Sequence, residues 1–225
     1  MQQGRLFGLT PALKRWMENA MTNMGPQEKD NYLRKTIKRL TEQKKEFLRK
    51  YRRGPDRARG VHGEIDEVLV QSRIEDPYLH SMVTCRKGCN HCCHMQVMIT
   101  DDDADLLADI VKSGKVSIDM DALKRQAAYP VDEMFWIKIP KADAKCVFLG
   151  DDGLCKVYDD RPTECRKYMV SSPPERCGTR YEVDQVALMV DERIELLASA
   201  AMNCDKDLPN ANKTLPQKLL ERLEC

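Results

Sequence analysis

The chain has 225 residues, 42% hydrophobic and 32% charged, with a net charge of +1, ten cysteines and twelve methionines. Leu, Val, Ile and Phe together number 48, just above the level at which a charged chain can no longer fold on burial alone, so one large or two small domains with a lean core are expected. No window approaches the roughly 20 apolar residues of a bilayer crossing, and Arg5, Lys14 and Arg15 interrupt the apolar runs of the amino terminus, which predicts a cytoplasmic protein without a signal peptide or membrane span.

Residues 1–60 hold 16 Lys/Arg against 6 Asp/Glu, whereas residues 61–225 hold 21 against 30, so near-neutrality conceals a basic first part and an acidic second part. The first part reads as helical. Pro11 suits a first helical turn, Leu13, Trp16, Met17 and Met21 share a face, and Gly25-Pro26 breaks the pattern. A longer helix is expected from Lys29 to about Tyr51, where Leu33, Ile37, Leu40, Phe47 and Tyr51 step by four and three with Lys44 in the missing place, the seam of a helical hairpin or coiled coil. Residues 52–60 carry Gly, Pro and charge without apolar period and read as a linker. The clustered cations admit contact with nucleic acid or an acidic partner. The reading preferred is a solvated face that also attracts the acidic part of the same chain, because no aromatic residues interleave the charges. A further helix is expected from Glu64 to Ile74.

Cys85, Cys89, Cys92 and Cys93 then follow as C-x3-C-x2-C-C. In a reducing compartment such spacing points to metal or redox chemistry rather than disulfides. Thiolates are soft anionic ligands, and a tight loop can aim several at zinc or an iron-sulfur cluster. Adjacent side chains usually diverge, so Cys92 and Cys93 fit two centres or a multinuclear cluster better than one tetrahedral ion. His91 and His94 flank the pair and read as loop residues, since thiols alone suffice. Next, Thr100 with Asp101, Asp102 and Asp103 makes a strong helix start, ended by Gly114. A short helix is expected over Met120–Ala128 and a strand over Met134–Ile139.

The second cysteine set is Cys146, Cys155, Cys165 and Cys177. Gly150-Asp151-Asp152-Gly153 predicts a turn, placing Cys146 and Cys155 on the arms of a hairpin. Pro162 puts Cys165 on a first helical turn, and Cys177 follows a proline loop. Asp184–Asn203 has the strongest helical period in the chain, with Val186, Ala187, Val190, Ile194, Leu197, Ala198 and Ala201 on one face. Pro216–Leu223 reads as a final helix. Cys204 and Cys225 fall outside the two sets and read as non-ligands.

Together, C-x3-C-x2-C-C and C-V-F-L-x-x-D-G-x-C-x-V-Y-x-x-R-P-x-x-C-R resemble the YkgJ-type cysteine-cluster family of zinc- or iron-chelating proteins, over roughly Cys85–Cys177. The resemblance implies metal binding by Cys85, Cys89, Cys92, Cys93, Cys146, Cys155, Cys165 and Cys177. Asn90 and His91 stand where the family often has glycine. Some relatives methylate flagellin lysines, but this chain has no glycine-rich S-adenosylmethionine loop.

The expected fold is mainly α with a small β-hairpin: a basic helical region and linker over 1–60, a cysteine-rich metal-organised domain over 61–205, and a helical tail over 206–225. The leading functional expectation is zinc or iron binding at two centres that stabilise an interaction module for a protein partner. An iron-sulfur redox protein or cluster-dependent enzyme is the alternative, and an adaptor using residues 1–60 on nucleic acid or an acidic assembly is a third. No Ser-His-Asp arrangement, phosphate loop or paired-acid motif favours an enzyme.

Overall fold

The computed structural model describes residues 9–136, 138–178, 186–205 and 213–224. These form ten α-helices: α1 (Pro11–Ala20), α2 (Pro26–Lys50), α3 (Pro55–Glu75), α4 (Pro77–Ser81), α5 (Asp101–Lys112), α6 (Met120–Ala127), α7 (Glu133–Trp136), α8 (Thr163–Lys167), α9 (Glu192–Met202) and α10 (Leu215–Glu224).

Proline at the first helical position sets several boundaries. The Thr10 hydroxyl caps α1 by accepting from Leu13 N–H, and Pro11 follows it. The Gly25-Pro26 break is itself the start of α2, three residues earlier than the period predicts, because Pro lacks only an N–H that the first turn leaves unpaired. The predicted linker over 52–60 is corrected by the same rule: Gly54 turns the chain at φ +88° and Pro55 opens α3, so residues 55–60 are helical. At α5 the expected cap is present, with Thr100 Oγ1 accepting from Asp103 N–H at 3.0 Å and Asp103 closing the reciprocal contact.

Three other expectations differ. The predicted strand at 134–139 is instead the helical turn α7, begun where Asp132 accepts from Phe135 N–H; six residues of loose alternation fit a capped helical turn equally well, and Ile137 lies outside the described residues. The hairpin reduces to one antiparallel bridge, Leu149–Cys155, and no sheet forms among the described residues. Gly150 N–H to Leu154 O and Lys156 N–H to Phe148 O, each 2.8 Å, close its turn. The helix predicted from Asp184 begins only at Glu192, capped by Asp191. Val186–Val190 satisfy the helical period, yet their backbone pairs with the chain after α8: Ser171 N–H donates to Ala187 O at 3.0 Å and Met189 N–H to Met169 O at 2.9 Å. Residues 184 and 185 lie outside the described set.

The apolar core is divided. Phe47, Val61, Ile65, Ile194 and Ala200 join α2, α3 and α9. Leu106, Leu107, Leu123 and Leu219 join α5, α6 and α10, and this cluster extends to Val147, Phe148 and Val157 in the cysteine-bearing turn. A third cluster seats Leu13 and Met17 of α1 on Leu196 of α9.

Buried charges tie these clusters together. Lys218, fully buried, stands 3.1 Å from Asp101 and 2.9 Å from Asp205. His62 of α3 meets Asp103 of α5 at 2.8 Å. The basic first part also pairs with later acids: Arg39 with Glu192 at 2.6 Å, Arg57 with Asp102 at 3.3 Å and Arg59 with Asp160 at 3.2 Å. Those contacts give the opposite charges of the two parts an intramolecular use. No helix among the described residues is long and apolar enough to cross a membrane.

Candidate metal centre

The two cysteine motifs are tied to each other through backbone. Thr84, just before Cys85, donates N–H to Val170 O at 2.9 Å and Oγ1–H to Ser172 O at 2.6 Å, which brings the first motif against the loop leading to Cys177. Gly88, at φ +90°, turns the chain between Cys85 and Cys89. His91–His94 form a 3-10 turn that packs against a second, Pro174–Gly178, which holds Cys177. Cys146 N–H donates to Cys93 O at 2.8 Å, and Asn90 Nδ2 donates to Gly153 O at 3.3 Å. Cysteines far apart in the chain are thereby gathered into one region.

Cys165 sits on α8, as its position after Pro162 predicts, and three contacts fix that short helix. Thr163 N–H donates to the buried Asp103 carboxylate at 3.3 Å. Arg166 grips Asp66 through one guanidinium nitrogen at 2.7 and 2.9 Å and also donates to Asp159 O. Lys167 is buried against Glu195, 2.8 Å away, and Glu164 at 3.0 Å. Five residues of helix have little stability alone, so α3, α5 and α9 supply the orientation of Cys165.

A cavity of about 500 Å³ is lined by Cys89, Cys92, Cys93, Cys146, Cys155 and Cys165, with Trp136, Phe148, Tyr158 and Tyr168 among its walls. Cys85 and Cys177 do not line it. Trp136 is held in that wall by donating its indole N–H to His94 O at 2.9 Å. None of the eight cysteines is in a disulfide.

Burial raises the thiols of Cys85, Cys146, Cys155, Cys165 and Cys177, those of Cys146 and Cys177 to about 11. Neighbouring thiols add to the effect. Cys85 responds to Cys89 and Cys92, and Cys177 responds to Cys85, Cys92 and Cys89. Cys165 responds to Cys146, Cys92 and Cys155. Cys92 takes part in both groups. Its own thiol is raised first by hydrogen bonding to Cys93 and then by burial.

The donor set fits zinc or iron, because thiolates from several segments are the ligands these metals take in closed sites. Six of the eight donors surround the cavity rather than converge on a point. Among the described residues, no three His, Cys, Asp or Glu groups are gathered tightly enough to hold an ion. Cys204 lies elsewhere, buried in the α2–α3–α9 cluster with its thiol donating to Ala200 O, and Cys225 lies outside the described residues. Sequence reasoning missed Asn90 as a tie between motifs and Asp103 as the anchor of α8. Asn90 had a signal, since it replaces a common glycine. Asp103 was hidden by its evident role as a capping residue.

Residues 84–190 match the CxxCxxCC family model, described as a putative zinc- or iron-chelating domain. No curated protein and no solved structure matches the chain.

Proposed function

We infer, from the match of residues 84–190 to the CxxCxxCC family model, that the protein binds two metal centres through eight thiolates and that these centres stabilise the cysteine-bearing region. The observation that carries the reading is the interleaving of the two motifs. The His91–His94 turn packs on the turn that holds Cys177, and Thr84, beside Cys85, bonds to Val170 O and Ser172 O on the way to it, while Cys93 O accepts from Cys146 N–H and Asn90 reaches Gly153 between Cys146 and Cys155. One centre is accordingly assigned to Cys85, Cys89 and Cys177, the other to Cys146, Cys155 and Cys165, and one member of the Cys92–Cys93 pair completes each.

When bound, zinc supplies electrostatic cross-linking of four thiolates, and an iron-sulfur cluster would add electron transfer. Four protein ligands close a site, which suits structure rather than catalysis. Metal binding releases the thiol protons and converts about 10–16 kcal/mol per structural zinc into folding free energy. The region has need of it, since its segments meet through isolated bridges and a divided core. Val70, Ile74 and Tyr78 lie exposed along the end of α3 and the start of α4, just before the first cysteine motif. That apolar strip supports the reading of the domain as a module for a protein partner.

The test is anaerobic purification followed by elemental analysis and a visible spectrum. A colourless protein with about two zinc per chain is expected. A brown protein with iron and acid-labile sulfide would instead make the centres redox clusters. Protein free of both metals would overturn the reading.

A further inference from the structure

Arg161 lines the same cavity as the six thiols and stands between Cys155 and Cys165 in the chain. Its guanidinium lies 4.4 Å from the Tyr158 ring centroid, close enough for cation–π attraction to hold it flat, and Lys87 approaches the same ring at 5.8 Å. Arg57 and Arg166 also bury an Nε–H without an acceptor, but each has a carboxylate for its charge, Asp102 for Arg57 and Asp66 for Arg166. Among the described residues Arg161 pairs with none, and its Nε–H is buried without an acceptor. A buried N–H of a charged group is costly to leave unpaired, so an acceptor is to be sought in the cavity it lines.

Loaded thiolates would supply that acceptor. A divalent ion held by four thiolates carries net negative charge, which is unfavourable against apolar walls unless a cation or N–H donor stands beside the sulfurs. We propose that Arg161 is the positioning residue of the metal centres: braced on Tyr158, it donates Nε–H to a ligand sulfur and offsets the negative charge of the thiolates. The thiols that line its cavity belong to both proposed centres, Cys89 to one and Cys146, Cys155 and Cys165 to the other. Arg161 thus acts through the ligands rather than as one. This rests on the two-centre reading above.

Full-length wild type, R161M, R161K and Y158A are prepared metal-free under anaerobic conditions. Each is titrated with Co2+, whose sulfur-to-metal charge-transfer band reports the thiolates, and with Zn2+ against a chromogenic chelator. R161M is expected to bind both ions at least about tenfold more weakly, the size typical of a lost outer partner of a metal ligand. Its band should move to longer wavelength, because a sulfur relieved of an N–H donor gives up charge more readily. R161K should recover most of the affinity through its charge while its band stays displaced, and Y158A should fall between R161M and wild type. Wild-type affinity and an unmoved band in R161M would overturn the proposal. If R161M loses its helical circular dichroism, R161K decides: a folded R161K with the wild-type band overturns it equally. Wild type that takes up neither ion overturns the metal reading itself, and this is seen before any variant is compared.

Discussion

The Asn90 side-chain amide donates to the carbonyl of Gly153 at 3.3 Å, and a Cβ placed on Gly153 would stand 2.8 Å from that same amide nitrogen. A side chain at 153 would therefore displace the amide that ties the first cysteine motif to the turn between Cys146 and Cys155, and Gly153 also has φ +77°. G153A is expected to destabilise the protein by about 1–2 kcal/mol from the left-handed backbone alone. N90A should cost about 1 kcal/mol, the worth of one hydrogen bond. Because the two residues touch, the costs should not add, and G153A should be milder by several tenths of a kcal/mol when Asn90 is absent. Urea unfolding of both single variants and the double variant checks this; strictly additive values would mean that the two motifs are not coupled at this contact.

Lys218 provides a second test, of the charges that tie the core clusters. Its ammonium is fully buried between Asp101 and Asp205, so K218M leaves one fewer cation beside two largely buried carboxylates. Removing one partner of a buried ion pair typically costs about 3–5 kcal/mol. Arg222 still reaches Asp101 at 2.9 Å, which places the expected loss at the lower end. K218M/D205N, which removes the stranded charge with its partner, should regain a good part of the loss. Urea denaturation decides, and a K218M protein as stable as wild type would show the ion network to be dispensable.

The cysteine motifs were legible because metal chemistry is written in their spacing, and Thr100 was legible because a capping box is local. Pro26 and Pro55 were read as punctuation, correctly, but on the wrong side: the residue that ends one helix pattern can open the next. Val186 and Val190 fit a helical period by chance of composition, and only pairing with residues 169–171, which no local window contains, draws them into extended backbone. The roles of Asn90 and Asp103 depend likewise on distant partners, Gly153 and Thr163. What escapes the sequence is the long-range hydrogen bond that fixes one segment relative to another.

Asp103 makes the pH dependence specific. Burial pushes its carboxyl up, but the hydrogen bond and charge of His62, with the Thr100 contacts, outweigh burial and hold it below the usual value of 3.8. A carboxylate depressed in the folded state binds protons more readily once unfolded. Its stabilisation is therefore complete above the unfolded value and is lost as pH falls through the folded one. D103N should accordingly be less stable than wild type at pH 7, and the gap should narrow below about pH 4. Asp102 works oppositely: burial raises it to about 6, so it disfavours the folded state as pH climbs from about 4 through 6. Measuring D103N and wild type metal-free keeps thiol ligation out of the comparison. A D103N deficit that stays constant from pH 7 to 3 would contradict this account.

The assignment of thiols to centres is decided by paired substitutions. If the centres followed the sequence, the first four cysteines would form one and the last four the other. In the interleaved arrangement Cys177 belongs with Cys85 and Cys89 instead, since its turn packs on the His91–His94 turn and Thr84 bonds to the loop before it. C89S/C177S then strikes one centre and should retain about one zinc per chain, whereas division by sequence motif predicts damage to both centres and loss of all metal. C146S/C165S should likewise retain about one zinc. C89S/C165S strikes both centres under either arrangement and serves as the control for complete loss. Elemental analysis of the purified variants reads the outcome directly. Hydrogen exchange adds where the surviving metal sits: C89S/C177S should lose amide protection around residues 85–89 and 174–178 and keep it around Cys146–Cys165, while C146S/C165S should do the reverse. Loss of all zinc in C89S/C177S alone would return the assignment to division by motif.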